Sequence, residues 1–439
     1  MSKLTCVISC PIDTLSGYGA RARDFAKSLI RLKGDEWDIR FLSQRWGNTP
    51  YGALDPNDPE ELDILNRILP TSQLSSQPDI WIQHTVCDEY APIGKVNIGM
   101  SALTESNLLP VEMIEGLNKM TFNIVSSEFV KEVALNTKFQ KVENNITIDG
   151  KVTKDIEVLF EGVNTNIFKK LDASSFDLSE IEESFCFLTV AHWLQGDHGE
   201  DRKQLTRLIE SFLKGFKGKK IKPALILKTS LAGFSIIEEE KILKYIDNIR
   251  KGLGSDLPNI YFLHGDLSNE EMNELYNHPK VKAFALTSNE GYGRPFLEFS
   301  AATSKPIIAS PFSGHTDFLH SDYNMFVKGK VEQVHASAVT KYIIKESAWY
   351  KVDGLELTKA FEEMYKNYDK YVEMGKRQGY RSRNEFSLDK MTEKLSQILE
   401  KNMPKLSRPI SLTLPKLNTN VSLPKKDAIE DIDFLEEIV

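Results

Sequence analysis

The pattern that most constrains this chain is an alternation of short β-branched runs with longer amphipathic stretches, repeated almost from end to end. Strands are expected at Leu4–Ser9, Trp37–Leu42, Ile80–Gln83, Val96–Met100 and Asn123–Val125. A second series follows at Glu157–Leu159, Phe185–Val190, Ala224–Lys228, Ile260–Leu263, Ala283–Leu286 and Pro306–Ala309. Helical spacing fills the intervals, as in Ala20–Leu32, Lys203–Phe216, Ile236–Lys251 and Asn269–Tyr276. Apolar runs bounded by turn residues and separated by helices are the signature of βαβ units, hence of parallel sheets in an α/β protein. The alternation fades between about Gly162 and Ser184, where Asn and Asp accumulate, so two α/β halves of comparable size are expected. Beyond about Thr340 the pattern reads as helix only, ending near Lys401.

A length of 439 residues suits two or three domains. Charged residues make up 27% and hydrophobic ones 41%, which excludes a fibrous or globally disordered chain. No apolar run approaches the about 20 residues of a membrane span. The start, Met1 to Cys10, reaches Pro11 and Asp13 quickly and reads as a first strand, not a signal peptide. Cys6, Cys10, Cys87 and Cys186 form no Cys-x-x-Cys pair and no zinc spacing, as expected of reduced core thiols in a cytoplasmic protein. A net charge of −8 argues against a surface that coats nucleic acid broadly. From Pro404 the composition changes. Residues 404–426 carry five bases and no acid around three Pro-Lys steps, and residues 427–439 carry six acids and no base. Proline blocks helix and sheet interiors, so a flexible linker and acidic end are expected, free to dock on the chain itself or on a partner.

The segment that carries chemistry is Thr287-Ser288-Asn289-Glu290-Gly291-Tyr292-Gly293-Arg294-Pro295-Phe296-Leu297-Glu298, between a buried strand and an apolar helix. Pro295 suits the first helical position. Gly291 and Gly293 permit close approach of a ligand to the backbone. Amide groups at the helix start would then suit a phosphate.

This Glu-x7-Glu in a Glu-Gly-aromatic-Gly-x-Pro setting resembles the signature of retaining GT-B glycosyltransferases, glycosyltransferase family 4 above all. Ala301–Ala309 and Ser313–Leu319 resemble the steps that follow that motif. Ser16-Gly17-Tyr18-Gly19, Ser126–Val130, Gly162–Phe168 and Asn259–Gly265 are similar to other family segments, in the family's order, over roughly residues 4–400. The resemblance implies two Rossmann-like domains facing a central cleft. These are an acceptor-side domain over 1–170 and a nucleotide-sugar-binding domain over 171–380. A helix over 381–403 would pack back toward the first domain, ahead of the tail at 404–439.

It also implies roles. Glu298 would accept hydrogen bonds from the ribose hydroxyls, and Glu290 would orient the transferred sugar. Gly291, Tyr292, Gly293 and Arg294 would hold the donor phosphate through their backbone. His84, at a strand end, resembles the family histidine that meets the transferred sugar. Gly17 and Gly19 would let their loop approach the donor, while Glu105 and Asn107 would line the acceptor side. The leaving diphosphate needs cations. Arg202, Lys203 and Lys228 are the candidates, with Lys203 grouped with Glu290 and His84 as catalytic. Here the chain departs from the family, since Ala191-His192-Trp193 stands where an Arg after the strand is usual. The sole Asp-x-Asp, Asp431-Ile432-Asp433, lies in the tail, so no metal and no cofactor is expected beyond the donor itself.

The expected activity is therefore transfer of a hexose or pentose, with retention, from a UDP- or GDP-sugar to an acceptor hydroxyl. The acceptor would be a glycan or a hydroxymethylated base of viral DNA. Alternatives are a GT-B nucleotide-sugar epimerase and a non-catalytic nucleotide- or sugar-binding subunit.

Overall fold

The structure, a computed structural model, describes residues 3–143, 146–197, 199–231 and 235–406. Residues Lys3–Lys405 form one compact unit. Of the linker and acidic end expected over 404–439, the part from 407 onward, Asp431 and Asp433 included, lies outside the described residues.

The first half runs β1 (Leu4–Cys10), α1 (Gly17–Lys33), β2 (Trp37–Ser43), α2 (Pro59–Asn66), β3 (Ile80–His84), β4 (Val96–Ser101), α3 (Val111–Lys119), β5 (Phe122–Val125) and α4 (Glu128–Asn136). A hairpin of β6 (Phe139–Glu143) and β7 (Ile146–Gly150) precedes β8 (Ile156–Val158). The second half runs β9 (Cys186–His192), α5 (Leu205–Phe216), β10 (Ala224–Ser230), α6 (Ile236–Leu253), β11 (Ile260–Leu263), α7 (Asn269–Asn277), β12 (Val281–Ala285), α8 (Arg294–Thr303), β13 (Ile307–Ala309) and β14 (Met325–Phe326). It closes with a hairpin of β15 (Gly329–Gln333) and β16 (Ala348–Val352), then α9 (Gly354–Lys366), α10 (Tyr368–Glu385) and α11 (Leu388–Asn402).

The expected α/β class with two parallel sheets is what the chain adopts. One six-stranded sheet has the order β2-β1-β3-β4-β5-β8 and the other β11-β10-β9-β12-β13-β14. Every pairing within them is parallel. Central strands β3 and β4 are buried at every position, while the edge strand β2 alternates. That is the burial of parallel sheets covered by helices on both faces. In each sheet the order reverses at one point, between β1 and β3 in the first and between β9 and β12 in the second. Crevices at such reversal points, outside the carboxyl ends of the strands, are where α/β sheets bind ligands. Residues after β1, β3, β9 and β12 are thereby set at the places that matter.

Three local expectations are corrected. The region after Thr340 is not helical only, because β16 pairs antiparallel with β15. Helix α5 begins at Leu205, so Arg202 and Lys203 sit in the turn before it, where Gln204 adopts a left-handed φ of 53°. Helix α8 begins at Arg294, one residue early, which makes Pro295 its second residue.

The last helix crosses to the first half. Thr392 on α11 donates to Ser28 on α1 at 2.8 Å, and Arg31 pairs with Asp389 at 2.9 Å. Val163 exchanges backbone hydrogen bonds with Phe386 and Leu388, both 2.9 Å. Among the described residues, no helix is long and apolar enough to cross a membrane. All four cysteines are free and buried.

Candidate functional site

After β12 the chain enters a stretch in which Thr287, Ser288 and Asn289 are fully buried and Glu290 is 8% exposed. A buried carboxylate is tolerated only when paired and hydrogen-bonded. Glu290 is both. Lys203 forms an ion pair with it, Ser288 Oγ donates to it at 2.5 Å, and Arg202 Nη1 lies 3.7 Å away. Burial pushes the Glu290 carboxyl up, but Lys203 and Arg202 outweigh this and hold it at about 2. At Lys203 burial wins instead, lowering its pKa against the pull of Glu290. The geometry supports an ionised Glu290 facing an ionised Lys203, since the contact and the second cation both favour charge on the carboxylate.

Gln204 and Asn289 fix this pair from behind. Gln204 Nε2 donates to the carbonyls of Thr287 and Tyr350 at 2.7 and 2.9 Å. Asn289 and Tyr350 exchange two hydrogen bonds of 3.0 Å. Strand β16 is thus tied to the loops after β9 and β12, and neither Gln204 nor Asn289 was singled out from sequence.

Arg202 also reaches across the cleft, with Nη1 2.6 Å from Glu105 Oε1. Two more expected residues are spent on cleft contacts. Asn107 and Ala348 exchange hydrogen bonds of 3.0 and 2.6 Å. Gly291 has its carbonyl clamped by the hydroxyls of Ser126 and Ser127 at 3.1 and 2.8 Å. A Cβ on Gly291 would come within 2.7 Å of the Ala102 carbonyl oxygen, so its lack of a side chain serves the approach of the two halves. Gly293 has φ +100° and opens α8 with no side-chain cap. Amide groups at such a helix start remain available to an anion.

Lys228 donates to the Gly265 carbonyl at 2.6 Å. His192, which no sequence argument assigned a role, lies near all of the cations. Crowding of its ring, then Lys203, Lys228 and Arg202, lower it to about 4. Arg202, Lys203 and Glu290 therefore form one contact group, and His192 feels the charge of Lys203, Lys228 and Arg202.

Glu298 lies apart from that group. Its Oε1 accepts from Arg294 Nε at 3.2 Å, while Arg294 Nη1 is 2.7 Å from Asp24 and 3.7 Å from Glu161. Burial raises the Glu298 carboxyl, with Arg294 opposing. Burial would lower Arg294, but Asp24, Glu298 and Glu161 hold it above its usual value.

In the first half His84 is fully buried and neither ring nitrogen has a hydrogen-bond partner. Burial, then Arg21, lowers its pKa well below the usual histidine value. Tyr18 stacks on it at 4.9 Å and on Trp46 at 3.9 Å. Gly17 faces open space, whereas a Cβ on Gly19 would lie 2.2 Å from the Thr14 carbonyl oxygen, so Gly19 is required by the turn itself. Tyr292 is buried against Phe318 and offers only its backbone.

A groove of about 710 Å³ opens beside the loop after β9, lined in part by Trp193, Gln195, Asp197, Tyr245 and Ser337. Neither Glu290 nor any Lys or Arg lines it, so the ion cluster, not this groove, marks the candidate site. Among the described residues no cluster of three or more His, Cys, Asp or Glu is arranged to hold a metal ion.

No protein-family model matches the chain, and no curated protein does. Solved structures do match. A glycosyltransferase from Rickettsia africae superposes with a TM-score of 0.58 at 14% identity, over 92% of this chain and 99% of that one. Anabaena HepE, solved in complex with UDP-glucose, gives 0.57 at 12% identity over 91% and 100%. Sucrose-phosphate synthase from Thermosynechococcus elongatus gives 0.59 at 13% identity over 91% and 99%. With both six-stranded parallel sheets, these likenesses establish that the chain has the GT-B fold.

Proposed function

We propose that this chain is a glycosyltransferase that moves a sugar, with retention and without a metal, from a nucleoside-diphosphate sugar to an acceptor hydroxyl. One observation carries the reading: a buried Glu290 carboxylate held by Lys203 and Arg202 at the reversal point of the second sheet, opposite the first. Cations there would stabilise the departing diphosphate. Glu290 is fixed and ionised, able to accept hydrogen bonds from sugar hydroxyls. The uncapped start of α8 supplies amide groups for phosphate, and Glu298 is the carboxylate for ribose. UDP-glucose bound to HepE supports a UDP-sugar as donor. The buried, unpartnered ring of His84 lies in the facing half and is suited to a sugar hydroxyl once Tyr18 shifts. Retention follows if the leaving phosphate oxygen accepts the acceptor's proton on the same face of an oxocarbenium-like centre. Closure of the halves excludes water that would otherwise consume the donor.

The test is mass spectrometry of donor consumption over a panel of UDP- and GDP-sugars, with and without EDTA. Turnover is expected to persist in EDTA and to fall at least 100-fold, roughly the cost of losing one buried charged contact, in Glu290→Ala and Lys203→Ala. Wild-type protein that neither binds nor consumes any donor would overturn the reading. Complete loss of turnover in EDTA would overturn its metal-independent part.

A further inference from the structure

The five-membered ionic cluster around Arg294 joins the two halves. Asp24 and Arg21 come from α1 and Glu161 from the segment after β8, while Arg294 and Glu298 come from the first two turns of α8. Arg21 lies 3.2 Å from Glu161, with side chains 4% and 8% exposed. Arg294, Asp24 and Glu298 are 15–18% exposed. Two cations thus face three carboxylates in a nearly closed space. A guanidinium is a rigid fork that holds its partners in plane, and here Nε takes Glu298 while Nη1 takes Asp24. Glu298 keeps its second oxygen outside this contact, because only Oε1 is engaged. A carboxylate has about four acceptor sites, so capacity for further donors remains.

We propose that Asp24, with Glu161 beside it, is a positioning residue for donor binding. Lying on the half opposite the donor, it holds Arg294, and Arg294 aims the Glu298 carboxylate that receives the ribose hydroxyls. This rests on the function proposed above. The chemistry recognised is a vicinal diol on a nucleoside diphosphate, and the grip on that diol draws on both halves, because Asp24 on α1 meets Arg294 on α8 at 2.7 Å.

The experiment is calorimetric titration of the full chain with UDP and with 2′-deoxy-UDP, the matching GDP pair run alongside. A lost hydrogen bond to a charged group costs about tenfold or more in affinity. Wild type is therefore expected to prefer the ribonucleotide by about tenfold. In Asp24→Asn, and in Arg294→Lys, which keeps charge but loses the fork, the preference is expected to shrink below about threefold. Asp24→Glu should restore part of it. A general packing defect would weaken both nucleotides alike and leave their ratio unchanged. An unchanged ratio in both variants sinks the proposal while the donor reading survives. Absence of nucleotide binding by wild type sinks both.

Discussion

Removing the cation beside Glu290 tests the physical basis of the site directly. In Lys203→Met a carboxylate 8% exposed loses its contact partner and keeps only Ser288 at 2.5 Å and Arg202 at 3.7 Å. Breaking a buried pair from one side costs about 3–5 kcal/mol. Arg202 still lends some charge, so about 3 kcal/mol is expected. Glu290→Gln added to Lys203→Met should recover about 2 kcal/mol of that, because no uncompensated charge stays buried. The pH dependence has a definite sign. In wild type the carboxyl is held at about 2, below its unfolded value of 4.5, so its contribution is present above 4.5 and lost as pH falls through 2. In Lys203→Met burial meets weaker opposition and the folded pKa moves upward. The variant's deficit should therefore shrink as pH drops from 7 to 5. Urea unfolding of wild type, both single variants and the double variant at those two pH values is the assay. A Lys203→Met deficit under about 1 kcal/mol, or one that grows on acidification, would refute the claim that Glu290 is a buried anion held by Lys203.

Two further outcomes follow from the cleft contacts. Gly291→Ala should destabilise by about 1–3 kcal/mol, because its Cβ meets backbone at 2.7 Å; Gly17→Ala, with nothing within 4 Å, should be neutral or slightly stabilising, and equal melting shifts for the two would contradict the close approach. Asp317 accepts from the Glu128 amide at 2.8 Å, and burial, with Glu128 and Glu132 also raising it, lifts its pKa to about 6. Stability from such a group is complete below its unfolded value of 3.8 and lost as pH rises through 6. Asp317→Asn should therefore gain about 1 kcal/mol over wild type between pH 5 and pH 8 after allowance for partial screening, and a gain independent of pH in melting scans would contradict this.

Much of the fold was legible because parallel strands buried on both faces read as unbroken apolar runs, as in Ile80–Gln83 and Ala224–Lys228. Strand β14 has two residues, too few to show a period. Hairpin strand β15 is largely exposed and carries Lys330 and Glu332, so it has no apolar run to detect. The Glu-x7-Glu loop announced itself through glycine, proline and acid at fixed offsets. Its supports did not. Gln204 and Asn289 act through hydrogen bonds to Tyr350, 146 and 61 residues away, and Asp24 meets Arg294 across 270 residues. No local pattern encodes partners at such separations. The surroundings of His192 were hidden likewise, since only the folded chain brings the charges of Lys203 and Lys228 to bear on it.

The crossing of α11 onto α1 has a consequence for biogenesis. Ser28 waits 364 residues for Thr392, so the face of α1 that meets α11 lacks that partner while the ribosome makes the rest of the chain. At about 5–20 residues per second that interval lasts on the order of 20–70 seconds. The amino-terminal half is therefore completed last although it is synthesised first, and a nascent chain stalled short of Thr392 is a natural client for holding chaperones.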